Sequence, residues 1–174
     1  MKRWSIGILV VAMIVSIGSV AFARNGLNDY AGKSDVEHLY LYEKDITDWT
    51  VVPDGAYGKA VFNWKHVNVA FEGHGLAAET DYSLIFYSEV ADGGWDEHKI
   101  QIISSGTSTV EGDLQLCRTA FEINVPLMED PAGAIKVWLV PSASIIDAET
   151  LGWTNPEMFL FESRMLVPPT EDPA

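Results

Sequence analysis

The 174-residue sequence predicts an all-β domain, a two-sheet antiparallel β-sandwich of immunoglobulin-like or similar Greek-key form with at most one short helix. Three observations carry this. Nine or ten short apolar segments are separated by Gly, Pro, Asn and Asp turn signals. Several of them alternate with the period of two that sends successive side chains to opposite faces. Only Ile145–Leu151, rich in Asp, Ala and Glu, reads as helical, so nothing supplies the crossovers of a parallel α/β sheet.

The segments run in order as follows. Leu39 and Leu41 alternate with Tyr40 and Tyr42 in a first strand over His38–Tyr42, and Ile46–Val52 reads as a second, stopped by Pro53-Asp54-Gly55. Across Lys59–Phe71 the apolar phase flips. Ala60, Phe62 and Trp64 share one face, then Val67, Val69 and Phe71 take over. A single regular strand cannot bury both sets on one side, so a tight turn or a bulge near Lys65-His66 is expected, with two paired strands the favoured form. Thr80–Glu89 is apolar on both faces, through Tyr82, Leu84 and Phe86 and through Ile85 and Tyr87, which predicts a strand that sits centrally or lies under a loop. Ile100–Ile103 follows. Thr107–Val110, Glu111-Gly112-Asp113 and Leu114–Leu116 read as a hairpin. Phe121–Val125, Ile135–Leu139, Met158–Phe161 and Met165–Val167 complete the set, with Trp64 and Trp138 as packing residues.

The flanks predict export. Met1-Lys2-Arg3, an apolar run and Ala21-Phe22-Ala23 have the layout of a secretory signal peptide over residues 1–23. An uncleaved anchor is the alternative. Residues 24–36 form a flexible lead, 37–167 the β domain and 168–174 a disordered tail. Cleavage removes Lys2 and Arg3 and no acid, leaving nine basic against 25 acidic residues, a formal charge of −16. Such a surface repels nucleic acid and anionic lipid, so neither is expected as a partner, nor is a membrane after cleavage. Cys117 is the only cysteine; no internal disulfide is possible, and the residue reads as a buried, inert thiol.

Taken in order, Leu41-Tyr42-Glu43-Lys44-Asp45, Gly73-His74-Gly75-Leu76, Tyr82-Ser83-Leu84-Ile85-Phe86-Tyr87, Trp138-Leu139-Val140-Pro141-Ser142, Trp153-Thr154-Asn155-Pro156 and Phe159-Leu160-Phe161-Glu162 resemble a pattern in a family of small exported proteins of archaea and bacteria. The resemblance covers roughly residues 38–163. It implies one exported β-rich domain and carries no activity, cofactor or site residue. The loop Glu89–Glu97 departs from the family's Pro/Gly loop.

No residue set signals catalysis. Gly32-Lys33-Ser34 lacks a glycine at phosphate-loop spacing, and no G-x-S-x-G is present. The candidates that remain are for binding. Trp95, in an acidic Gly-rich loop, is expected to be exposed and to offer a ring for stacking. His74, between two glycines, is a candidate ligand-binding or metal-binding residue. Glu89, Asp92, Asp96 and Glu97 crowd one loop with the oxygen ligands that Ca²⁺ takes, so calcium is the one cofactor entertained. Trp153, before Asn155-Pro156, is expected to plug one end of the domain. The reading is an exported, non-enzymatic binding module at the cell surface or in the medium, taking a glycan or protein. Its rivals are a small secreted hydrolase or metal-dependent enzyme, and a structural envelope component.

Overall fold

A computed structural model describes residues 35–88, 99–128, 133–147 and 150–168. Every strand pairing in it is antiparallel. The strands are β1 (Val36–Glu43), β2 (Tyr57–Asn63), β3 (Asn68–His74), β4 (Asp81–Ser88), β5 (Lys99–Thr107), β6 (Leu114–Thr119), β7 (Lys136–Pro141) and β8 (Leu160–Glu162). The all-β antiparallel expectation holds. The ladder, however, is a single sheet in the order β5-β4-β7-β8-β1-β2-β3-β6 and does not divide into two. The sheet curls until its ends approach one another, nearly closing like a barrel. At that seam the Ser104 hydroxyl donates to the Cys117 carbonyl at 3.1 Å, with no ladder between β5 and β6.

The phase flip in Lys59–Phe71 is a hairpin. Asn63 faces Asn68 across the turn, so Ala60 and Phe62 on β2 stay on the same face as Val69 and Phe71 on β3. β4 lies between β5 and β7 and is buried on both faces because a separate apolar cluster covers each one. Tyr82, Leu84 and Phe86 join the main core with Leu39, Leu41, Phe62, Val137 and Leu139. Ile85 and Tyr87 join a second cluster on the other face with Trp138, Val140, Phe159 and Phe161. Trp64 packs against the main core, stacked on Phe62 with centroids 5.4 Å apart.

Five local expectations are corrected. Ile46–Val52 is a loop, because Asp45 and Asp48 turn the backbone: Thr47 N–H donates to Asp45 Oδ1 (2.8 Å) and Thr50 N–H to Asp48 Oδ1 (3.0 Å). Thr107 ends β5, and Thr109–Asp113 is a turn whose Gly112 sits at φ +83, with Leu76 backbone against the place a Cβ would occupy. The strand that follows, β6, does not form a hairpin with β5. It pairs with β3 instead, which buries Leu114 and Leu116 over the main core. Phe121–Val125 buries Phe121 and Val125 without ladder bonds. Ile145 and Leu151 form an antiparallel bridge where a helix was expected. Their side chains cap the second cluster, and that burial overrides the weak helical composition. Cys117 is exposed, since on β6 it alternates with inward Leu114 and Leu116.

Candidate functional site

The second cluster needs cover, and two connections provide it. Between β1 and β2, the Asp45–Val52 loop folds over Phe161. Between β7 and β8, the chain doubles back. Ser144 donates through its hydroxyl to Thr154 O at 2.7 Å, and Gly152 N–H donates to Ser144 O at 2.7 Å. These connections carry Trp49 and Trp153.

The two indoles meet with centroids 6.5 Å apart at 48°, and each is about half exposed (49% and 47%). Beneath them lie Phe161, edge-on to Trp49 at 5.1 Å, and Trp138, edge-on to Trp153 at 6.0 Å. Trp138 is itself stacked on Tyr87 at 3.9 Å. Edge-to-face and offset contacts of this kind hold aromatic rings in fixed orientations. Half of each upper ring therefore stays in water on a rigid floor. Trp49 takes φ +60, a left-handed conformation unusual for a bulky residue, held by its N–H to Asp45 O at 2.7 Å and by Asp45 N–H to Thr50 O at 2.9 Å. Around the patch Val51, Ile46 and Ile146 are also exposed.

Ionisable groups border the same face. The Asp48 carboxyl is held below the usual range by the Thr50 hydroxyl and N–H. Lys44 Nζ donates to the Glu162 carbonyl at 2.9 Å, and burial lowers its pKa, opposed by Glu162 and assisted by Lys136. Glu162 Oε2 is sealed from solvent and has no hydrogen-bond partner among the described residues. Burial pushes its carboxyl up to about 7, opposed by its own N–H, by Lys44 and Lys136, and by the Trp138 indole. Lys136 Nζ lies 5.6 Å from the Tyr87 ring centroid, and Lys59 Nζ 5.8 Å from that of Tyr40.

The residues expected from the sequence are distributed differently. Trp95, Glu89, Asp92, Asp96 and Glu97 lie outside the described residues, and with them the calcium loop. His74 ends β3 and is fixed on both ring nitrogens: Nδ1 lies 2.8 Å from Asp113 Oδ1 and Nε2 3.7 Å from Glu72 Oε1, with Tyr57 against the ring. Because the acids engage opposite sides of the imidazole, their oxygens do not converge. No group of three His, Cys, Asp or Glu side chains among the described residues is arranged to hold a metal ion. His74→Ala should therefore change stability by less than about 1 kcal/mol, and the difference should shrink in 0.5 M salt, because both partners are exposed. Urea denaturation at two salt concentrations measures this.

Trp153 is a correction: it does not plug an end of the domain but lies half exposed on a face. The strand pattern of Ile46–Val52 conceals Trp49, whose position follows from the Asp45–Thr50 turn chemistry. The spacing of Asp45, Thr47, Asp48 and Thr50 was the available signal. Comparison with protein-family models, with curated proteins and with solved structures finds no match, so the chemistry of this face has to be read from its own residues.

Proposed function

We propose that the protein is an exported, non-enzymatic binding domain that stacks a glycan ring on Trp49 and Trp153 at the cell surface or in the medium. The supporting observation is the pair of half-exposed indoles from separate loops, fixed over a buried aromatic floor. A pyranose presents a face of C–H groups, and an aromatic face is the surface that takes it while the hydroxyls stay in water. Contiguous exposed apolar surface rimmed by polar groups is characteristic of interaction sites. Under this reading the curled sheet works as two layers, with β5-β4-β7 packed against β2-β3 through contacts such as Phe62 on Phe86, as in a sandwich-type binding domain. The leader supports export, and the resemblance to small exported proteins supports the same setting.

The test is pull-down on insoluble polysaccharide and cell-wall material, followed by titration of soluble oligosaccharides. Trp49→Ala and Trp153→Ala should each weaken binding roughly tenfold or more, as central aromatic anchors do. Unchanged binding in both variants would refute the platform.

A further inference from the structure

At one end of the sheet a cleft of about 170 Å³ opens between the end of β1, the turn after β3 and the Pro156–Met158 turn. Its walls are Leu76, Met158 and Leu160. Its polar groups are Glu43, Glu157 and the hydroxyl of Tyr82, and no Lys, Arg or His lines it among the described residues. Glu43 is fixed: its Oε2 accepts the Ala56 N–H at 2.8 Å, and Gly55 allows the backbone to pass that oxygen closely. Glu43 Oε1 and the Glu157 carboxylate have no hydrogen-bond or ion-pair partner among the described residues. Tyr82 is buried. Its hydroxyl accepts the Ala77 N–H at 3.3 Å and keeps its own proton uncommitted among the described residues. Burial, together with the nearby Glu43 charge, raises the Tyr82 phenol, opposed by the Ala77 N–H, so it stays neutral and able to donate.

We propose that this cleft binds a small organic ammonium ion, with its charge against Glu43 and Glu157 and its carbon body against Leu76, Met158 and Leu160. Two carboxylates without a counter-cation in a partly apolar hollow form a site complementary to positive charge. The net charge of −14 concentrates cations around the protein as a whole. A bare divalent metal ion fits less well, because two carboxylates with aliphatic walls fall short of the six to eight oxygens calcium takes. The volume is close to that of a cavity that holds benzene, which sets the ligand at about six heavy atoms. The inference is independent of the Trp49–Trp153 platform.

The experiment follows backbone amide NMR shifts of the purified protein during titration with n-butylammonium chloride. Sodium chloride corrects for ionic strength, and n-butanol and calcium chloride serve as comparisons. Saturable shifts are expected at Ala56, Leu76 and Ala77, with n-butanol at least about tenfold weaker. Glu157→Gln, an exposed position, should weaken the ammonium about fivefold and leave the rest of the spectrum unchanged. Glu43→Gln, which keeps an oxygen for Ala56, should do the same. Equal response to butanol, saturation by calcium at lower concentration than by the ammonium, or shifts that never saturate would each overturn the proposal.

Discussion

Phe62→Ala is expected to remove about 4 kcal/mol of stability, the upper range for an aromatic truncated in a sealed core. Phe62 is fully buried near the end of β2. It stacks on Trp64 at 5.4 Å and on Phe86 at 6.1 Å, and meets Phe121 edge-on at 6.4 Å. Those partners come from the β2–β3 turn, from β4 across the core, and from the segment after β6. One ring thus ties together parts of the sheet that share no ladder. A single domain holds about 5–15 kcal/mol in all, so the variant should be only marginally folded at room temperature. Phe62→Leu, which fills most of the hole, should lose about 1–1.5 kcal/mol. Urea denaturation followed by tryptophan fluorescence measures both. A loss below about 1.5 kcal/mol for the alanine variant would show that the ring is not the keystone described.

The second large effect depends on pH and stabilises. Glu162 carries a carboxyl raised from 4.5 to about 7. At pH 4 it is mostly neutral in both the folded and unfolded chain and contributes little. Between about 4.5 and 7 the unfolded chain releases the proton while the folded chain retains it, so stability falls as pH rises through this window. Above 7 the loss levels off, on the order of 3 kcal/mol. Glutamine mimics the neutral acid. Glu162→Gln should therefore match the parent at pH 4 and exceed it by on the order of 2–3 kcal/mol at pH 8. The residue as a whole keeps partial exposure, but the oxygen that matters does not. Parallel stability curves for parent and variant across pH 4–8 would show that Lys44 and Lys136 already compensate the charge.

The elements legible in the sequence are those whose pattern reports a local fact. The flip at Lys65-His66 signals the β2–β3 hairpin because a regular strand cannot change its buried face without a turn or a bulge. The doubly apolar Thr80–Glu89 gave a central strand because only a strand with neighbours and cover on both sides can bury both faces. What was illegible depends on distant partners. β6 follows β5 and a good turn, yet pairs with β3, and no local signal distinguishes the two. Trp49 and Trp153 sit in segments that look ordinary alone. They become a surface only because β8 places Phe161 beneath both. Ile145–Leu151 has helical composition, but burial of Ile145 and Leu151 on the second cluster decides its shape.

β8 is three residues long and lies between β7 and β1, pairing Tyr42 with Phe161 across most of the chain. No fragment that lacks the C-terminal strand can join the two halves of the sheet. Completion of the sheet therefore waits on a strand far along the chain from β1, and such long-range pairing is intrinsically slow.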